Sequence, residues 1–238
     1  MTRNGHAPYF AGNGMPWRGI TVSLVLLLLW DVSGWDLPLM ATIGSPTGFP
    51  WRDNYWLENV LHTGARNACV ALYLGLWVAA LAWPNRAHPL IGHRWQRSWW
   101  LLGVLVNLIA ISGLKSVSDT SCPWDLQVFG GPAAYVSHWT FGVADGGGGR
   151  CFPGGHASSA LAFLALAPVW LRATSPSHQR VGRWLLALAM GFGLLFGLTQ
   201  TLRGAHYPSH TFWTAWLCFT VSWLWFAIYQ PANKWSGK

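Results

Sequence analysis

The stretch Arg150-Cys151-Phe152-Pro153-Gly154-Gly155-His156-Ala157-Ser158-Ser159 sets a histidine and an arginine around a sharp turn. Four glycines, Gly146 to Gly149, precede it, and the apolar run Ala160 to Trp170 follows. A loose loop therefore turns into a helix with His156 at its start. The first N–H groups of such a helix lack partners within it and, with the helix dipole, favour an anion. Further along, Arg203, His206 and His210 follow an apolar run, and Lys115 ends an earlier one. Neutral imidazole is a competent nucleophile and imidazolium a proton donor near neutral pH. Histidines among cations and free amides suit attack on a bound phosphate, whose transition state spreads negative charge over its oxygens.

The rest of the chain must position those groups, and its composition says in what medium. Of 238 residues 52% are hydrophobic and only 9% charged, and 19 are tryptophan. Soluble domains run near 25% charged, so this is a membrane composition, with tryptophans suited to the two bilayer interfaces. The net charge of +8 comes from scattered cations with no dense basic patch, which excludes nucleic acid as a partner.

Six apolar runs read as helical spans: about 20–33, 65–83, 99–114, 156–171, 184–202 and 209–229. The first reaches membrane length only with Trp17 and Trp35 as its ends, and it reads as an uncleaved span. Asp31 and Asp36 near its far end read as exposed interfacial carboxylates. The stretch 37–66, with Pro38, Pro46 and Pro50, reads as an irregular re-entrant or surface connection. The fold class is therefore all-α: a single polytopic integral-membrane domain over 1–238 with six transmembrane helices.

Six spans put both termini on one side. Arg3, Arg18, Arg86, Arg94, Arg97, Arg172, Arg180, Arg183, Lys234 and Lys238 fall on that side, against Arg52, Arg66, Lys115, Arg150 and Arg203 on the other. The excess of cations inside makes both termini cytoplasmic. The active site then faces outward, on the periplasmic side of a bacterial inner membrane. That side is oxidising, so Cys122 and Cys151 are there either as a disulfide or as two thiols.

Three segments carry a resemblance. Lys115 and Pro123 are seven residues and one further apart in a Lys-x6-Arg-Pro pattern with Cys122 in place of the arginine. Pro153-Gly154-Gly155-His156 stands where Pro-Ser-Gly-His would. Thr199-Gln200, then His206 and His210, stand where Ser-Arg-x5-His-x3-Asp would. In order and spacing, 115–210 resembles a divergent branch of the type 2 phosphatidic acid phosphatase superfamily. The resemblance implies a lipid phosphatase acting through a phosphohistidine, with no metal and no cofactor. It implies His206 as nucleophile and His156 as the acid that protonates the leaving group. Lys115, Arg203, Arg150, Gly154 and Gly155 are the phosphate-binding candidates. His210 stands at the position of the orienting aspartate, and Asp119, Asp125 or Asp145 from the loop could supply a carboxylate in that role, with Asp125, nearest Cys122-Pro123, favoured. The substrate implied is a phosphomonoester or diphosphate on a lipid, with phosphoryl transfer to another lipid equally compatible, and no obligate protein partner.

Two other readings use the same residues. His206, His210 and His156 as a three-histidine metal site would make a membrane metalloenzyme. The missing arginines would also suit a binder or transporter of lipid phosphate that does no chemistry. His138, Trp139 and Trp124 read as loop packing or interface anchors, and His6, His62, His88, His93 and His178 as surface residues.

Overall fold

The structure is a computed structural model that describes residues 14–86, 88 and 90–229. Arg3, His6, Lys234 and Lys238 lie outside the described residues. Among those described the protein is helical, with two isolated bridges and no strand. Its helices are α1 (Trp17–Ser33), α2 (Asp36–Ala41), α3 (Ala65–Ala82), α4 (Arg94–Ser116), α5 (Gly155–Leu161), α6 (Ala167–Leu171), α7 (Pro176–Leu202) and α8 (Pro208–Ala227). Three helical stretches, Trp56–Ala82, Arg94–Ser116 and Pro176–Leu202, are long and apolar enough to cross a membrane.

Three boundaries differ from the sequence reading. Helix begins at Trp56, because a π-helical stretch Trp56–Gly64 runs directly into α3. The second half of the 37–66 connection is thus not irregular: Asn54 Oδ1 accepts from the N–H groups of Trp56 and Leu57 and starts the coil there. Helix α4 begins at Arg94, five residues early, under a reciprocal cap between His93 and Gln96. Helix α7 begins at Pro176, whose fixed φ suits the first turn. Both early starts draw loop arginines onto helices. Arg97 then donates to Ala80 O, Trp83 O, Ile91 O and Gly92 O, clamping the end of α3 to the start of α4.

Helices α5 and α6 form one rod, Gly155–Leu171, tightened to a 3-10 coil over Ala162–Leu166. Pro168 accounts for the change, since it lacks an N–H and its ring crowds the preceding turn. The buried Asn107 of α4 spans the break, donating to Ala162 O, Gly103 O and Ser222 Oγ of α8. Helix α7 lies against this rod through small residues. A Cβ on Gly193 would stand 2.4 Å from Leu161 Cγ, and one on Gly197 would stand 2.2 Å from Thr211 Cγ2. Hydrogen at both positions lets α7 approach α5 and α8 closely. The apolar cluster Ile111, Ala157, Leu161, Leu164, Ala189, Ala215 and Cys218 forms at this junction. Its packing fixes the one end of the bundle where α4 finishes, α5 starts and α7 turns into α8.

Candidate active site

The α7–α8 connection is Arg203 to Tyr207. Gly204 at φ 75° makes the turn, and a Cβ there would lie 2.3 Å from the Phe49 ring, so only glycine fits. Gln200 O receives the N–H groups of Ala205 and His206, which curls the chain back over the end of α7. Pro208 then opens α8. The Asp36 carboxylate caps this start, with Oδ1 accepting from Ser209 N at 3.2 Å and from Trp30 Nε1 at 3.0 Å. His206 and His210 are thereby held one turn apart.

A disulfide joins Cys122 to Cys151, with S–S 2.15 Å. Cys151 Sγ lies 3.3 Å from His206 Nδ1 and 3.0 Å from Ala205 O. A disulfide sulfur carries no proton, so these are contacts that wedge the imidazole. His206 is 7% exposed, and burial, then the Lys115 and His156 charges, push its imidazole down to about 3. It is a neutral base at any ordinary pH. Its Nδ1 faces His210 Nδ1 at 3.5 Å. His210 is fully buried between Phe152, Tyr207 and His138, and its Nε2 has no hydrogen-bond partner.

His156 starts α5, with its Nε2 2.9 Å from Leu61 O and its buried Nδ1 without a partner. Its ring stacks on Phe196 at 5.0 Å and meets the His62 ring edge-on at 4.5 Å. Arg203 is buried and fully spoken for on one side. Its Nε donates to Arg52 O at 2.8 Å, Nη1 to Gln200 Oε1 at 3.5 Å, and Nη2 pairs with Glu58 Oε1 at 3.4 Å. Lys115 ends α4 and runs beside Gly155, where an added Cβ would lie 3.3 Å from its Cδ and 4.0 Å from its Nζ. No carboxylate pairs with Lys115 among the described residues. Gly154 N–H is already bonded to His210 O at 3.1 Å, so it is not a free amide of the expected anion site.

The structure thus gathers Lys115, Gly155, His156, Arg203, His206 and His210 at one end. Two further candidates carry other contacts. Arg150 is exposed on the glycine-rich loop, and its backbone, at φ 57°, is tied to Ser118 O. Asp125 is held by the Trp124 indole N–H, on the 3-10 turn Pro123–Asp125. Asp145 instead organises the loop, accepting from Ser121 N, Ser121 Oγ and Gly147 N.

Side chains from the first half of the chain enter unforeseen roles. Glu58 and His62 come from the Trp56–Gly64 stretch, and Asp31 and Asp36 from either side of the α1–α2 turn. Asp31 is no exposed carboxylate: its side chain is 4% exposed, and Oδ2 receives the indole N–H groups of Trp139 and Trp213 and faces His138 Nε2 at 3.3 Å. His138 in turn stacks on Phe152 at 4.3 Å. Asp36 is buried as well. The i, i+4 spacing of Glu58, His62 and Arg66 was the available signal for the second-half helix, but the prolines before it argued for loop.

Among the described residues, the group of His, Cys, Asp and Glu donors that converges closely enough for a metal is Cys122, Cys151 and His206, and it does not include His156. In the structure both of those sulfurs are in the disulfide.

No curated protein and no solved structure matches the chain. A family model described as the PAP2 superfamily matches residues 97–234, more than half of the chain and the run from within α4 through α8 that presents these histidines. The chain belongs to that superfamily, whose members are phosphatases.

Proposed function

We propose that the protein is a membrane-embedded lipid phosphatase that passes the phosphoryl group through His206. The observation that carries this reading is the meeting of a neutral buried imidazole, a second imidazole and two cations at one end of the bundle, in a chain of a phosphatase superfamily. His206 Nδ1 faces Cys151 and His210, which leaves Nε2 to face phosphorus. A lone pair on Nε2 requires the proton on Nδ1, where His210 Nδ1 accepts it. His210 thus keeps the nucleophile in its reactive tautomer, without the fixed charge of an aspartate.

Nε2 attacks phosphorus as the P–O bond to the lipid breaks. Lys115 and Arg203 hold the equatorial oxygens and oppose the charge that gathers there. His156 gives a proton to the departing oxygen. With Nε2 bonded to Leu61 O, the proton it delivers sits on Nδ1, the nitrogen with no protein partner. Water then attacks the phosphohistidine, and His156 takes up its proton again. Arg203 stands one turn after Gln200 and takes the part of the arginine absent there.

The substrate class is a phosphomonoester or diphosphate on a lipid, as in phosphatidate, a polyprenyl diphosphate or lipid A. Large apolar side chains such as Leu26, Leu74, Val78 and Phe192 are exposed on the helices, which suits a bilayer. The reading places six spans in a bacterial inner membrane, with both termini cytoplasmic and the site on the periplasmic side.

The test is released phosphate from those three lipid classes by the purified protein in detergent, with and without His206→Ala. Wild type releases phosphate and forms an acid-labile phosphoprotein on brief exposure to substrate, and His206→Ala does neither. Full activity in His206→Ala would end this mechanism.

A further inference from the structure

We propose that Cys122, Cys151 and His206 become a soft-metal site when the disulfide is reduced, and that a zinc-class divalent ion bound there removes the nucleophile. The metal-binding half stands on geometry alone, while the loss of activity rests on His206 being the nucleophile.

One sulfur, one imidazole nitrogen and the second sulfur all lie within 4.8 Å of one another. Zinc binds sulfur at about 2.3 Å and imidazole nitrogen at about 2.0 Å, so neighbouring ligand atoms on a tetrahedral ion stand about 3.3–3.8 Å apart. The 3.3 Å from Cys151 Sγ to His206 Nδ1 already has that spacing. Only the two sulfurs must separate, to about 3.8 Å on the same bond lengths, and reduction permits it.

The chemistry balances with a dithiol as reductant. Its thiolate attacks Sγ of Cys122, the less buried residue of the pair, and Cys151 leaves as a thiolate beside His206. The second thiol of the reductant then displaces Cys122 and closes to a disulfide. Two electrons and two protons have passed to the protein sulfurs. A divalent ion displaces both thiol protons to water and takes the lone pair of His206 Nδ1. A neutral imidazole has one lone pair, so its proton must then lie on Nε2. That nitrogen can no longer attack.

The test uses the full chain in detergent with Cys69→Ser, since Cys69 is a partly buried free thiol and Cys218 is buried in the apolar core. Oxidised and dithiol-reduced samples, freed of reductant without air, are titrated with Cd2+ and Zn2+. The expected result is one ion per reduced chain, with thiolate-to-metal absorption in the ultraviolet for Cd2+, and no uptake by the oxidised chain. Cys122→Ser weakens uptake at least 100-fold. Phosphatidate hydrolysis falls at least tenfold in the reduced chain with Zn2+ and returns on chelation, while the reduced, metal-free chain stays active. No uptake by the reduced chain, or equal uptake by Cys122→Ser, overturns the proposal. If Zn2+ binds without inhibition while oxidised His206→Ala is inactive, the ion does not take His206 and the proposal fails with the mechanism intact. If oxidised His206→Ala is active, the mechanism fails and the metal site stands.

Discussion

Replacing Arg203 tests whether it takes the part that the proposed mechanism gives it in place of an arginine at Gln200. The side chain is buried and reaches three groups, Arg52 O, Gln200 Oε1 and Glu58 Oε1, the nearest at 2.8 Å. At about 4 Å and an effective dielectric near 20, a unit charge acts on a phosphoryl oxygen with about 4 kcal/mol. Losing one donor to a developing oxyanion commonly costs about 10²–10³ in rate. Arg203→Ala should therefore lower kcat by about 10²–10³. Arg203→Lys keeps the charge but cannot hold Arg52 O and a phosphate together, and loses about 10–100-fold on the same scale. Stability moves by a separate amount. The charged hydrogen bond to Arg52 O contributes about 1.5–3 kcal/mol, whereas the pair with Glu58, 43% exposed, gives at most about 1 kcal/mol. Glu58→Gln is therefore the control, leaving the fold in place and kcat unchanged or raised. Phosphate release from phosphatidate, read beside thermal unfolding in the same detergent, separates the two effects. Arg203→Ala and Arg203→Lys both within threefold of wild type, with unfolding unchanged, would refute the assignment.

Further perturbations follow from the same geometry. His206 is held down to about 3 against an unfolded value near 6.5. Below about pH 6.5 the unfolded chain takes up a proton that the folded chain refuses, so stability falls as pH drops toward 3 and is unaffected above that window. Unfolding midpoints from pH 7.5 to 4 should show that fall, and His206→Leu should flatten it; equal slopes would contradict the burial effect. Asp36→Ala removes the cap on α8 and strands the Trp30 indole, for a loss of about 2 kcal/mol by thermal unfolding. Gly193→Ala forces a methyl group onto buried Leu161 and should cost about 1–3 kcal/mol, with a midpoint equal to wild type as the contrary result.

The helical class and the positions that meet at the site were legible because their signals are local. His156, His206 and His210 each sit where an apolar run meets a glycine or a proline, and Lys115 where one meets a polar loop; such junctions are helix ends whatever packs around them. What could not be read were partners supplied from far along the chain. Asp31 looked like an exposed carboxylate because nothing nearby in sequence can satisfy it. Its donors are His138, Trp139 and Trp213, more than 100 residues away. Asp125 stands close in sequence to Cys122-Pro123, and on the 3-10 turn its Oδ2 accepts from the adjacent Trp124 indole. Arg150 borders the Cys151–His156 turn in sequence. Its left-handed backbone, pinned to Ser118 O, belongs to a loop whose side chain stays exposed.

The first half of the chain, outside the family match, has a physical part in the site. A buried guanidinium needs acceptors, and Arg203 finds them at Arg52 O and Glu58. His156 finds its acceptor at Leu61 O. All three lie on the stretch around the Trp56–Gly64 π-helix, a coil wider than the α-helix and frequent at functional sites. Helix α8 in turn is capped by Asp36 and braced by Asp31 through Trp213. A chain cut to 97–234 would keep every signature residue and lose each of these supports. On the proposed mechanism it should therefore bind and turn over lipid phosphate far more weakly than the full chain, although the proposed nucleophile, acid and lysine are all present. Adding back 1–96 as a separate chain and recovering phosphate release would show that these contacts, not covalent continuity, position the site.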